Sequence, residues 1–314
     1  MKIFYGPVLS RRFGYSLGVD IIPYKICSYD CIYCQLGSTT KSTIDRKSYV
    51  RIDTGQFKKS LVSVIENNEK IDYITFSGSG EPTLNKDLGM LIDEVRQVTD
   101  IPAAVLTNGS LLYKKDVIDD ICRADLVKVS MDAFDQDSLE AINRPHTAIK
   151  FSHLSRGLDL LMKSFDGRIW LEIMLIKGVN DSLEAACGFE AFISSLADTD
   201  TKADLEKIHL NTPVRPTEGS GIEIPDSDRM EEIREMLGEK AEIIKEREAG
   251  GAQKKEKVLE DDMLELARRR PVTARDISRS LSVNINEVIK VLKILMEQEK
   301  IGSRMHDNRK YYYL

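Results

Sequence analysis

The sequence predicts an α/β fold: a partial (β/α)6 TIM-like barrel with a C-terminal winged helix-turn-helix domain. Three observations carry this. Six short apolar, β-branched runs alternate with amphipathic segments between about residues 17 and 212. Small, polar turns follow several of those runs, where ligand-binding loops of parallel sheets lie. Beyond a glycine-containing stretch near residue 250, the pattern changes to three helical segments and two final strands.

The expected strands are Leu17–Ile22, Tyr73–Phe76, Ala103–Leu106, Leu126–Met131, Ile169–Ile176 and Lys207–Asn211. Amphipathic helices are expected around Gln56–Asn67, Leu88–Val98, Lys114–Ile121, Gln136–Ile142, Phe151–Lys163 and Leu183–Leu196. Strand-then-helix repetition implies parallel pairing with right-handed crossovers. Six units fall short of the eight that close a full barrel, so an open curved sheet fits, and the pattern alone is also compatible with a doubly wound sheet. The loops after the strands read Ser77-Gly78-Ser79-Gly80-Glu81-Pro82, Thr107-Asn108-Gly109 and Asp132-Ala133. They are expected to line one rim.

We divide the chain into a barrel over 1–225, a charged helix and linker over 226–256, and a small domain over 257–314. Ala249-Gly250-Gly251-Ala252 is the expected hinge. In the last unit, Leu259–Arg269 and Thr273–Leu281 are helices, with Thr273 and Asp276 as a cap pair. Asn284 with Glu287 repeats that pattern for a third helix running to about Gln298. Strands Lys300–Arg304 and Lys310–Tyr313 would form a hairpin turned at His306-Asp307-Asn308.

A net charge of -6 argues against a protein that coats nucleic acid over its whole surface. The charge is uneven: residues 255–314 hold 13 Lys plus Arg against 10 Asp plus Glu, a net +3, leaving -9 for the rest. No apolar run approaches the ~20 residues that span a bilayer, and Met1 to Gly6 lacks a signal-peptide layout. A cytoplasmic protein with no membrane partner is the expectation.

Of five cysteines, Cys27, Cys31 and Cys34 fall within eight residues, while Cys122 and Cys187 lie apart in helices and read as buried structural thiols. Such crowding does not resemble a disulfide framework. Three thiolates on a loop after the first strand suit an iron–sulfur cluster with one iron left open to a small molecule. A zinc site would need a fourth Cys or His; the nearest histidine, His146, lacks ligand-like spacing but leaves that alternative open.

The C-x3-C-x2-C loop, with Tyr33 before its last cysteine, resembles the radical S-adenosylmethionine (SAM) superfamily. Gly78-Ser79-Gly80-Glu81-Pro82 is similar to the superfamily's Gly-Gly-Glu-Pro loop, with Ser79 as a departure. The resemblance implies a [4Fe-4S] cluster on Cys27, Cys31 and Cys34, and S-adenosyl-L-methionine chelated to the open iron. The cofactor's methionine amine would then meet Gly78, Gly80 and Glu81, and its ribose Ser130 and Asp132. Asn108 shares the rim and is a further cofactor candidate; Asn180 and Asn211 are weaker ones, for the carboxylate and adenine. A helix cap is the alternative reading of Asp132. Tyr5-Gly6-Pro7-Val8-Leu9-Ser10-Arg11-Arg12 and Leu210-Asn211-Thr212-Pro213-Val214-Arg215-Pro216 are similar to uncharacterised iron–sulfur oxidoreductases grouped near tRNA wyosine synthases. No second cysteine cluster accompanies them here. Arg11, Arg12 and Arg215 suit an anionic substrate, the cofactor carboxylate or plain surface pairing.

The resemblance implies an enzyme that draws one electron from a donor such as flavodoxin or ferredoxin and forms a 5'-deoxyadenosyl radical. That radical abstracts hydrogen from a substrate the sequence does not name. RNA, recruited by the last domain, is one expectation. A peptide or protein substrate is another, and a cluster-based redox-sensing transcription factor is a third. The last domain's third helix would expose Asn286, Glu287, Lys290, Lys293 and Glu297, less basic than a dedicated DNA reader needs. Contact with RNA or DNA and contact with protein both stay open for it.

Overall fold

The computed structural model describes residues 3–68, 70–196, 201–215, 222–245, 260–281 and 283–314. The chain enters through an antiparallel hairpin of β1 (Phe4–Ser10) and β2 (Gly14–Val19). Two short strands, β3 (Ile26–Cys27) and β4 (Lys41–Ser42), bracket the cysteine loop. Then come α1 (Thr54–Glu66), β5 (Tyr73–Phe76), α2 (Leu88–Arg96), β6 (Ala103–Thr107), α3 (Lys115–Ile121) and β7 (Leu126–Ser130). They are followed by α4 (Gln136–Asn143), α5 (Phe151–Ser164), β8 (Arg168–Met174), α6 (Leu183–Leu196) and β9 (Asp204–Asn211). Finally α7 (Ser227–Leu237) and β10 (Ala241–Ile243) complete the main sheet, whose order is β1-β2-β5-β6-β7-β8-β9-β10.

From β2 to β10 all pairings are parallel, as the alternating pattern requires. The strand order is sequential and does not reverse, so the sheet is an open barrel and not a doubly wound one. Outward residues such as Leu17, Ile74, Phe76, Val105, Val127 and Leu171 pack beneath the helices in one core. The inward face is different. At the amino ends of the strands, Phe13 stacks on Trp170 at 4.9 Å, and Tyr73 meets Phe13 edge-on at 5.3 Å. Above this plug the inward positions turn polar: Ser16, Thr75, Lys128, Glu172 and His209. That alternation directs the chemistry toward the carboxyl ends of the strands.

Three features depart from the expectations. The first parallel strand begins three residues earlier, at Gly14, and is joined by β1, which sequence reading did not assign. The structure also places 227–243 in the barrel: β10 pairs with β9, and Met230, Ile233, Leu237 and Ala241 enter the main core. The charged helix therefore covers the sheet and is no part of a linker. The hinge at Ala249-Gly250-Gly251-Ala252 and the start at Leu259 lie outside the described residues. Cys122 packs against the core, but Cys187 is exposed, because the buried stripe of α6 runs through Ala185, Ala186, Phe189 and Leu196 and leaves it on the far side.

The last unit contains α8 (Glu260–Arg269), β11 (Val272–Thr273), α9 (Ala274–Leu281), α10 (Ile285–Glu297), β12 (Gly302–His306) and β13 (Arg309–Tyr313), with sheet order β11-β13-β12. The Thr273/Asp276 pair caps α9 reciprocally, each backbone N–H donating to the other side chain at 3.0 Å. At α10 the cap is Asn284 alone, accepting from Asn286 N at 2.9 Å, while Glu287 pairs with Lys290. Asp307 and Asn308 turn the hairpin in the left-handed region, which Asp and Asn tolerate well. This unit has its own core, and Val8 of β1 is built into it. Among the described residues no helix is long and apolar enough to cross a membrane.

Candidate active site

The loop from Cys27 to Cys34 runs across the carboxyl ends of the strands and is tied down mostly through its backbone. Asp30 N and Ile32 N donate to Asn143 O (3.0 Å) and Ile142 O (2.9 Å) at the end of α4, and His146 N donates to Ser28 O at 2.8 Å. Cys34 N closes a turn onto Cys31 O at 3.0 Å. A loop held this way leaves its side chains for other work.

Two amides reach the thiols. Asn143 Nδ2 lies 3.3 Å from Cys31 Sγ, and Asn108 Nδ2 lies 3.6 Å from Cys27 Sγ. Burial, and then Glu81, push the Cys27 thiol up to about 12; burial, and then Asp132, push Cys31 well above its ordinary value. Thiolates here need a positive group among them, and iron would reverse this local preference. Among the described residues, no three His, Cys, Asp or Glu side chains are grouped to hold a single metal ion. A cluster binds thiolates at separate corners, so three spaced thiols are a donor set that could hold one.

The Gly78-to-Pro82 loop packs beside the cysteines. A β-carbon on Gly80 would sit 2.0 Å from Ile26 O, and one on Gly78 would sit 2.3 Å from Asp20 Cγ. Only glycine permits either approach. Between them, Ser79 Oγ donates to Asp20 Oδ2 at 2.6 Å, which gives the departure from Gly-Gly-Glu-Pro a structural use. Glu81 is buried. Its Oε1 accepts from Thr83 N (3.1 Å), Thr83 Oγ1 (2.6 Å) and Thr107 Oγ1 (2.6 Å), and its Oε2 from Asn108 N at 2.7 Å. Glu81 therefore braces two rim loops, with spare accepting capacity chiefly on Oε2.

Asp132 is also buried and fully engaged. It accepts from Met174 N on Oδ1 (2.8 Å) and from Asn143 Nδ2 (2.8 Å) and Tyr33 OH on Oδ2. It does not cap α4, a role taken by Asp135 with Ser138. Asp132 instead ties the cysteine loop to two strand ends. Ser130 is half-buried, with its hydroxyl near Lys128 Nζ at 3.1 Å. Asn180 braces backbone at Asp132 O, Met174 O and Ile176 N, which leaves no donor for a cofactor carboxylate.

Sequence reasoning missed Asn143, Asp20 and the buried group around Glu172. Glu172 lies 2.8 Å from Arg12 and 3.1 Å from Lys128. Burial would raise its carboxyl, but Arg12 and then Lys128 hold it at about 2, so it is ionised. Burial lowers His209 to about 4, so it is neutral at pH 7. No local motif signals these residues; the sheet register brings them together, with Glu172 opposite both Ser130 and His209. A cavity of about 350 Å³ occupies the lumen between Glu172, Thr75 and Cys34, and its outer wall includes Arg269 and Arg270 of the last unit. Arg269 Nε lies 3.5 Å from Asp20 Oδ2, and its guanidinium covers the Tyr5 ring at 4.3 Å.

Comparison with known proteins agrees with this geometry. The Radical SAM superfamily model matches residues 21–189. A UPF0026 protein of Methanocaldococcus jannaschii is 37% identical over 246 residues, covering 78% of this chain and 73% of its own length. A UPF0026 protein of Helicobacter pylori is 31% identical, covering 99% and 97%. A Brachyspira hyodysenteriae protein named GTPase Obg is 36% identical over 96% of this chain, but the chain spans only 43% of it. Among solved structures, a radical SAM methyltransferase from Sphaerobacter thermophilus superposes with a TM-score of 0.53 at 18% identity, covering 73% of this chain and 65% of that one. TYW1 with a lysine-pyruvate adduct bound gives 0.50 at 19%, covering 74% and 75%. These two likenesses concern the fold. With a cysteine loop fit for a cluster at the mouth of an open barrel, and with these relatives, the chain belongs to the radical SAM superfamily, whose cofactors are a [4Fe-4S] cluster and S-adenosylmethionine, and within it to the UPF0026 proteins.

Proposed function

We propose that this enzyme abstracts a hydrogen atom from a substrate seated in the barrel lumen, with Cys27, Cys31 and Cys34 as the cluster ligands. The observation that carries the reading is the position of Cys34 at the edge of the lumen cavity, with the Gly78–Pro82 loop beside it. When bound, the cluster and S-adenosylmethionine supply a primary carbon radical, after one electron from a flavodoxin or ferredoxin. The chain's own residues bind, orient and shield. Asn108 and Asn143 donate to two of the thiolates, which stabilises their charge. Backbone of Gly78 and Gly80, with Glu81 Oε2, receives the methionine ammonium. Ser130 offers its hydroxyl to the ribose, and Asp132 holds Tyr33 and the loop in register. The Phe13–Trp170–Tyr73 plug closes the far end to water.

RNA is the substrate class we favour among those expected, with a winged helix-turn-helix reading of the last unit. Support comes from Arg270, which that unit presents to the lumen beside the Asp20-paired Arg269. The test is 5'-deoxyadenosine release by the full chain, reconstituted anaerobically and supplied with dithionite, S-adenosylmethionine and cell extract. We expect release that extract stimulates and nuclease treatment of the extract removes, and none from Cys31→Ala. Equal release from Cys31→Ala would overturn the ligand assignment. Stimulation that survives nuclease would point to a peptide, protein or small molecule, and no release would favour the sensor.

A further inference from the structure

A second, larger cleft of about 540 Å³ lies between α9 and β13 on one side and the end of β1 with Arg215 on the other. Cations dominate it. Arg270, Arg275, Arg279 and Lys310 face it from the last unit, and Arg11 and Arg215 from the barrel. Asp276 is the one carboxylate among its described lining residues, and it is committed to capping α9. Neither Arg275 nor Arg279 has an ion pair or hydrogen bond among the described residues, and Arg275 is exposed. Burial, and then Arg215, lower Arg270 to about 9, while Asp276 opposes that shift only in part. Arg11, Arg215 and Arg270 also line the lumen cavity, so the two spaces adjoin across these side chains.

We propose that this cleft holds the phosphates of a single-stranded polynucleotide and feeds one nucleotide into the lumen; the feeding step rests on the hydrogen-abstraction reading above. A polymer with one negative charge per repeat matches a cleft lined by several arginines, of which Arg275 and Arg279 have no partner among the described residues. The exposed Ile285 and Ile289 at the cleft edge give bases an apolar surface. A duplex fits poorly. The cleft has the volume of a small-ligand pocket, and the outer face of α10 is neutralised by Lys290–Glu287 at 2.8 Å and Lys293–Glu297 at 4.0 Å. The last unit thus meets nucleic acid with the side turned toward the barrel, not with its third helix in a groove.

Fluorescence anisotropy on the full, reconstituted chain tests this with labelled 15-mers of oligo-uridylate and oligo-deoxythymidylate. Competitors are duplex DNA and polyglutamate. We expect either single strand to bind tighter than both competitors, the preferred one identifying the sugar. Arg275→Ala/Arg279→Ala should weaken binding at least tenfold and reduce the salt slope by about 1.4, two contacts at ~0.7 each. Arg275→Lys/Arg279→Lys should restore most of it, and Lys290→Ala/Lys293→Ala should leave it unchanged. The proposal is overturned if the arginine pair has no effect, if Lys290→Ala/Lys293→Ala abolishes binding, or if polyglutamate competes equally. Release of 5'-deoxyadenosine without oligonucleotide, on the same preparations, reports separately on the radical chemistry.

Discussion

Asp132 distinguishes a ligand contact from a structural clamp. In Asp132→Ala, Met174 N, Asn143 Nδ2 and Tyr33 OH all lose an acceptor in the interior. A buried donor left without a partner costs about 1–3 kcal/mol. The three losses do not add, because Asn143 keeps Cys31 Sγ and Tyr33 can rotate its hydroxyl. Burial raises the Asp132 carboxyl, so the native carboxylate also carries a desolvation cost that the variant lacks. The net expectation is a loss of about 3 kcal/mol. Asp132→Asn keeps an oxygen for Met174 N and should recover about half. Urea unfolding of the cluster-free chain at pH 7, followed by far-UV circular dichroism, measures this without any cofactor present. An unchanged midpoint in Asp132→Ala, together with weakened S-adenosylmethionine binding, would refute the clamp and leave a ribose contact alone.

Glu172 makes a pH prediction. Its folded value of about 2 lies below the ordinary 4.5, so its stabilisation is complete above about pH 4.5 and disappears as pH falls toward 2. The shift corresponds to about 3 kcal/mol; the stability gap between wild type and Glu172→Gln should be constant from pH 8 to 5 and narrow below, and a gap that stays flat to pH 3 would sink the assignment. Asn143→Ala should retain iron but shift the cluster's midpoint potential in the negative direction, because a donor to Cys31 Sγ is lost; spectroelectrochemistry would reveal an unaltered potential if the contact is idle. Arg269→Ala should weaken cofactor binding about tenfold, as loss of ~1.5 kcal/mol at a charged contact predicts, since Arg269 holds Asp20 and Asp20 holds Ser79. Isothermal titration that finds the same affinity would disconnect the last unit from the cofactor loop.

Much of the fold was readable because its determinants are local. Runs such as Tyr73–Phe76 and Ala103–Thr107 are apolar, short and bounded by turns, and their boundaries fell within a residue. β1 was not readable: Pro7 argues against a strand, and a bulge between Tyr5 and Val8 breaks its alternation. β10 is three residues long inside a charged stretch, and only its partner β9 makes it a strand. The cysteine loop and the Gly78–Pro82 loop were legible as motifs, because each packs its chemistry into a few consecutive residues. The long-range part of the site was not. Asn143 reaches Cys31 across 112 positions, and Arg269 reaches Asp20 from another folding unit. Glu81 and Asp132 were singled out for cofactor contact, yet most of their hydrogen bonds serve the loops around them.

The proposed cluster rests on three cysteines and leaves its remaining iron open to S-adenosylmethionine. Electron paramagnetic resonance of the dithionite-reduced, reconstituted chain tests it most directly, recorded with and without S-adenosylmethionine. We expect about four irons per chain, a reduced-cluster signal that changes on adding S-adenosylmethionine, and loss of that signal in Cys31→Ala. A signal indifferent to S-adenosylmethionine, or one that survives in Cys31→Ala, would contradict it.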